Sequence, residues 1–444
     1  MSKTIFKKIK NLGRRAQIRM GLTSSFVRKI EQRLEEPVAM QGAHQITLLA
    51  LQPERFRKDL EILCRHGIKV LHFPQSLQSN LQEIYWNSSV DFEQYYNPPQ
   101  GSATQKIQTQ VQRFLGKVLK ELATRQSIDG VVGAALHYID SWDYIAAAKS
   151  VGIPSIIMHR ECFQTNIGQF NRIVDLGIKL HRLHANFVIF HNEITRKGFI
   201  TAGHTKPEES AALGCIRMDE FVHRAMNQRT HQKKPKQVLM FSFSHCSGIG
   251  GMCNSFTDGS LGFVRLFEAC HVQFAKLAQK HPEYNFIIKP KWGEEWIEQI
   301  DSALKKEGIE RDTISNLQIL PDADAHDLIF ESDVVFGFNS TTLAEAGLAA
   351  KPVIIPCFAE CLEEQYVDFI QLQAEFDAFD IAYSEKEIEP LILNALRNPE
   401  ISEKQMVVRR ALFERYISSL DARATERYAD KLVELTKKHS KTLF

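Results

Sequence analysis

Short, unbroken apolar runs recur along most of this chain, each followed by a stretch with helical spacing. That alternation limits the fold more than any other feature. QITLLAL (45–51), Ile68–Phe73, GVVGAAL (130–136), PSIIM (154–158) and NFVIF (186–190) form a first series. QVLMFSF (237–243), NFIIK (285–289), LQIL (317–320), DVVFGF (333–338) and PVIIP (352–356) form a second. A run that is apolar at nearly every position suits a strand buried on both faces, as in a parallel sheet. Between the runs, Ile107, Val111, Phe114, Leu115, Val118, Leu119 and Leu122 follow three- and four-residue steps, which predicts a helix over 103–125. Residues 74–102 are polar, contain Pro98-Pro99, and read as a long loop.

Strands alternating with helices predict an α/β chain with two Rossmann-like, doubly wound parallel-sheet domains facing a cleft. The basic segment 223–237, broken by Pro235, reads as the linker. The expected division is a basic amphipathic helical segment over 1–36, one domain over 37–225, a second over 236–385, and C-terminal helices over 386–444 packing across the domains. A length of 444 residues with 44% hydrophobic and 24% charged side chains fits a soluble globular protein and excludes a disordered or collagen-like chain. No window approaches the roughly 18 consecutive apolar residues of a membrane span. Eight scattered cysteines suggest a reducing compartment.

The net charge of +2 hides an asymmetry. Residues 1–30 hold nine Lys/Arg and no acid, leaving 46 basic against 53 acidic residues in the remainder. Ile5, Phe6, Ile9, Leu12, Ala16 and Met20 fall on one side of a helix among these cations. Such a helix can lie on an anionic membrane surface, or it can be an ordinary solvated helix. An acid-free amphipathic start also fits an organellar transit peptide. Confinement of the basic residues to one terminus argues against nucleic acid as a partner.

Ligands of open α/β sheets bind beyond the carboxyl ends of the strands. After DVVFGF come Ser340, Thr341 and Thr342 at a helix start, where unpaired N–H groups favour an anion such as a nucleotide diphosphate. Glu345 lies one turn further, placed either to meet a ribose or to close a capping box with Thr342. Lys289 and Lys291 end NFIIKPK, two apart, suited to phosphate oxygens or to a solvated edge. Ser247 and Gly248 open a glycine loop after MFSF. In the first half, His159 and Glu161 flank Arg160 after PSIIM, and should face the cleft. Either is a candidate general base, with Asp140 and Asp143 a further choice. Asp322-Ala323-Asp324 precedes a short helix, where acids complement the dipole, so no metal ligand is assigned.

Four segments together carry a resemblance. ALGCIRMDEF (212–221) resembles a V-x-G-x-P-R-x-D segment, with Ile216 in place of proline. FGFNSTTLAEAGLAAKPVIIP, NFIIKPK, and YISSLDARATERYADKL (416–432) resemble a nucleotide-binding strand-turn-helix, a KPK/KPH strand end and a DGxAxxR helix, with Ala422 in place of glycine. In order and spacing they resemble GT-B fold glycosyltransferases of bacterial capsule or O-antigen biosynthesis, related to CDP-glycerol glycerophosphotransferases and retaining Kdo transferases. The resemblance implies transfer from a nucleotide-sugar donor to a glycan or lipid-linked acceptor, without cofactor or obligatory metal, at the inner face of the cytoplasmic membrane. It implies an acceptor domain over 37–225 and a donor domain over 236–385. A polyol-phosphate transferase, a nucleotide-sugar epimerase and a non-catalytic nucleotide-binding scaffold are the rival expectations.

Overall fold

The apolar runs become strands, and the polar residues just beyond them become the rims of two separate sheets. The computed structural model describes residues 20–38, 43–82, 92–227, 236–249, 262–291 and 293–440. The chain divides into two compact units. The first takes in the chain to Cys162, Asn171–Asp219 and the chain from Ala422; the second takes in Phe163–Phe170 and Glu220–Asp421.

The first unit holds β1 (Ile46–Ala50), β2 (Ile68–His72), β3 (Gly130–Gly133), β4 (Ser155–Met158), β5 (Phe187–Phe190) and β6 (Ser210–Ala212), all parallel, in the order β2-β1-β3-β4-β5-β6. Alternate residues point to opposite faces, and both faces are buried. Leu49, Val131, Ile157 and Val188 join one core. Leu48, Ala50, Val132, Ile156 and Ile189 join the other, with Tyr428, Ala429 and Leu432 of the helix Ala424–Ser440 laid over them. The winding direction changes between β1 and β3, which makes that gap the sheet's switch point.

The second unit holds β7 (Gln237–Phe241), β8 (Asn285–Lys289), β9 (Leu317–Ile319), β10 (Val334–Gly337), β11 (Val353–Pro356) and β12 (Asp380–Ala382), again all parallel, in the order β12-β11-β10-β7-β8-β9. Its switch point lies between β7 and β10. The helices Glu385–Arg397 and Glu403–Tyr416 belong to this unit, whereas Ala424–Ser440 belongs to the first.

One expectation changes. The loop expected over 74–102 contains the helices Gln75–Gln82 and Phe92–Tyr96, and Tyr95 is fully buried with its hydroxyl donating to Asp143. Strands β6 (SAA) and β12 (DIA) are three residues each and lack an apolar run. In the basic segment, Phe26, Val27 and Ile30 of the helix Thr23–Glu31 are buried, with the Phe26 ring 5.8 Å from Phe114, while Met20 of the expected apolar stripe is exposed. Arg28 and Lys29 point outward. Residues 1–19, which carry most of the proposed membrane face, lie outside the described residues. Among the described residues no helix is long and apolar enough to cross a membrane.

Candidate functional sites at the two switch points

At the β7/β10 switch point, Asn339 holds the loops together. It follows β10 with a left-handed backbone (φ 48°). Its Nδ2 donates to the carbonyls of Ser247 and Phe369, both at 2.9 Å, and its Oδ1 accepts from the Gln371 N–H at 2.8 Å. The Ser247 hydroxyl donates back to the Asn339 carbonyl at 3.2 Å. Gly248 is a glycine by necessity: its φ is +83°, and a Cβ there would sit 2.4 Å from the Phe369 carbonyl oxygen. Ser247 and Gly248 are thus tied into the switch point through Asn339, whose bonds to residues 30 and 92 positions away no local pattern encodes.

The helix Thr341–Leu348 starts from this hub. Ser340 (φ −135°, ψ 141°) is its N-cap, accepting from the Thr342 N–H at 3.3 Å and lying 2.7 Å from the Thr342 hydroxyl. Thr342 is already inside the helix, so no Thr342–Glu345 capping box forms. Glu345 instead is buried, with Oε2 3.4 Å from Nε2 of the half-buried His326. Asp324 caps the helix Ala325–Glu331, accepting from the His326 N–H at 2.9 Å, as its place before a short helix suggested.

One strand over, Lys289 closes β8. Its ammonium donates to the carbonyls of Pro290 (2.9 Å) and Pro321 (2.6 Å), using two of its three N–H groups. Burial lowers its pKa, opposed by Asp322 and Asp324. Lys291 stands exposed beyond the strand. The alternation that would place both lysines on one face stops with β8 at Lys289.

Another helix start in the second unit, at Val264–Lys280, is filled. The buried Glu360 carboxylate accepts from the N–H groups of Arg265 (2.7 Å) and Leu266 (2.9 Å). A carboxylate there satisfies the same dipole a phosphate would seek.

In the first unit the sequence candidates separate sharply. His159 is fully buried rather than set at an open rim. Its backbone N–H continues the ladder to Ile189, because the strand direction carries on past Met158. Its Nδ1 accepts from the Leu136 N–H at 3.2 Å, and burial holds its pKa well below the ordinary range. Glu161 is exposed and accepts from the Tyr138 hydroxyl at 3.1 Å. Burial and Glu161 push the Tyr138 hydroxyl up to about 12, and the Arg55 guanidinium lies 5.3 Å from its ring centre. Arg160 pairs with the buried Asp59 at 3.3 Å, which also lies 3.9 Å from Arg217. Asp140 is half-buried in the first turn of the helix Ile139–Ser150, with Oδ2 accepting from Gln52 Nε2 at 2.9 Å. Among the described residues no group of three or more His, Cys, Asp or Glu is arranged to hold a metal ion.

Two of the four motif segments meet inside the first unit. Asp219 accepts from the N–H groups of Ala424 (3.0 Å) and Thr425 (2.7 Å), and Arg427 Nε donates to the Leu213 carbonyl at 3.1 Å. Ala422 has a left-handed φ of 53°, which accounts for glycine in the pattern it departs from. Ile216 opens a short 3-10 turn, Ile216–Met218, where proline is pre-shaped.

No protein-family model and no curated protein matches this sequence. Among solved structures, the chain is similar to a UDP-GlcNAc 2-epimerase from Neisseria meningitidis bound to UDP-GlcNAc, at 14% identity, covering 88% of this chain and 99% of that one with a TM-score of 0.48. It is similar to a UDP-forming α,α-trehalose-phosphate synthase from Burkholderia xenovorans at 9% identity, covering 89% and 99% with a TM-score of 0.48. It is also similar to MurG from Acinetobacter baumannii at 16% identity, covering 88% and 99% with a TM-score of 0.43. At such identities the likeness concerns architecture and says nothing about chemistry.

Proposed function

We propose that the protein is a glycosyltransferase that binds a nucleotide-sugar on its second unit and moves the sugar to a surface-polysaccharide or lipid-linked glycan acceptor at its first. The observation that carries this reading is the helix start at Ser340, Thr341 and Thr342. It sits at a switch point and, among the described residues, is capped by a hydroxyl alone, while Glu360 fills the start at Val264. A phosphate there meets N–H groups and the positive dipole end. The remaining N–H of Lys289 adds a cation one strand away. As the sugar leaves, negative charge grows on the nucleotide, and these fixed donors lower the barrier. Glu345, oriented by His326, faces the ribose hydroxyls; Ser247 and Gly248 shape the loop beside the phosphates. Lys291 supplies a second cation. On the acceptor side Asp140 or Glu161 takes the proton, since His159 has no open nitrogen at a surface. The basic residues 1–30 hold the enzyme at an anionic membrane face.

The test is a thermal-shift screen of the whole chain against CMP, CDP, UDP, GDP and ADP. One nucleotide should raise the melting temperature, since saturation at 100 times Kd stabilises by about 2.7 kcal/mol. Lys289→Ala and Glu345→Ala should each lose most of that rise. No response to any nucleotide, or full response in both variants, removes the reading.

A nucleotide-sugar epimerase is the second reading. It is favoured by two carboxylates, Asp140 and Glu161, following adjacent strands β3 and β4, because epimerisation needs proton transfer on two faces. Incubation with donor alone separates the two: an altered sugar still joined to its nucleotide supports the epimerase.

A further inference from the structure

We infer that Gln52 and Gln78 form a clamp that positions Asp140 as the proton acceptor at the first unit's switch point. The inference rests on the transferase reading and names the residues that act behind it. Gln52 follows β1 and Asp140 follows β3, the two strands between which the winding reverses. Crevices at such points are where open α/β sheets take ligands.

The hydrogen bonds close a ring. The Gln52 N–H donates to Gln78 Oε1 at 3.0 Å, Gln78 Nε2 donates to the Asp140 carbonyl at 3.1 Å, and Gln52 Nε2 donates to Asp140 Oδ2 at 2.9 Å. Each amide orientation is fixed, because a carboxylate and a carbonyl only accept and a backbone N–H only donates. The ring holds Asp140 by main chain and side chain together, and occupies one carboxylate oxygen.

Asp143, three residues along the same helix, gives the contrast. Its two oxygens accept from Tyr95 (2.7 Å) and Gln112 (2.8 Å), and it is buried. Asp143 is closed; Asp140 is half-exposed, and no bond to its second oxygen is found among the described residues. Gln52 itself is strained. It has φ 51° and ψ 52°, a region non-glycine residues avoid, and its buried Oε1 has no partner. Both features disfavour the fold, and both persist at the residue that grips Asp140.

The experiment uses the full chain and follows nucleotide release from UDP-N-acetylglucosamine, UDP-glucose, GDP-mannose, CMP-Kdo and CDP-glycerol, with water as the accepting hydroxyl. Asp140→Asn should lower kcat by about 100-fold or more with KM unchanged. Gln52→Asn keeps an amide and tolerates the left-handed backbone, but is too short to reach Asp140. It should lower kcat about tenfold at unchanged KM, and have no further effect in the Asp140→Asn background. Gln78→Leu should behave the same way. Equal losses in both backgrounds overturn the inference, since a merely structural residue costs the same in each. Wild-type turnover in Asp140→Asn also overturns it, as does a wild type that binds nucleotide yet releases none from any donor. A wild type that binds no nucleotide overturns the donor reading and this inference with it.

Discussion

The two units wind similar six-stranded sheets and put different chemistry at the same place. At β7/β10 the rim is made of amide N–H groups, hydroxyls and Asn339, with Lys289 one strand away, which on the proposed reading would receive an anion. At β1/β3 it is made of side-chain amides and a carboxylate, which on the proposed reading would receive a hydroxyl. The backbone supplies the location; residues within a few positions of a strand end decide what the location accepts. The interiors differ too. In the first unit His72, His137, His159, His184, His191 and His204 all have pKa values lowered chiefly by burial. The second has His245 and His271 so affected, and His271 is bonded on both nitrogens, to the Ser242 hydroxyl at 2.8 Å and the Phe267 carbonyl at 2.6 Å.

That second contrast gives the largest expected effect. Burial lowers His204 to about 4, whereas an unfolded histidine titrates near 6.5. Between those values the unfolded chain takes up a proton the fold refuses. Stability is therefore intact above about pH 6.5 and falls as pH drops toward 4, by about 3 kcal/mol for His204 alone. With six such groups against two, the first unit should open first on acidification. Hydrogen exchange followed by mass spectrometry should show β3, β4 and β5 losing protection at higher pH than β7, β8 and β10. Simultaneous loss in both sheets would break the comparison.

Gly248→Ala sharpens it from the other side. The added Cβ meets the Phe369 carbonyl and the Asn339 amide nitrogen at 2.7 Å, on a backbone already at φ +83°. The expected cost is about 2 kcal/mol in urea unfolding, with weakened nucleotide binding. Exchange in the first unit should stay unchanged; a loss there would show that the damage is not confined to one rim. The smallest effect is a gain. Ala422→Gly relieves a left-handed alanine where the chain enters the first unit, and should add about 1 kcal/mol by the same measurement.

Ten of the twelve strands stood out in the sequence as apolar runs, most of them buried on both faces. Strands β6 (SAA) and β12 (DIA) did not, since neither carries the run of large apolar residues that marks even the three-residue edge strand β9 (LQI). The helix start at Ser340 was legible, because a strand, a polar turn and an apolar stripe follow one another locally. The rest depended on distant partners. Nothing near Glu360 announces that it fills the start of a helix some 95 residues earlier. Gln52 and Gln78 look like ordinary polar residues until β1 and β3 lie side by side. His159 appeared to follow a finished strand, but its N–H still belongs to the ladder. Phe163–Phe170 falls in the second unit through bonds such as Leu372 N–H to the Thr165 hydroxyl at 2.8 Å, which no local pattern encodes.

The Asp219 clasp bears on how the molecule is made. It joins positions 205 residues apart, and the stretch between them is nearly the whole second unit. A ribosome therefore delivers that unit in full before the chain supplies Tyr428, Ala429 and Leu432 to one face of the first sheet. The part of the protein that is born first is completed last, and until then it waits with an uncovered apolar surface.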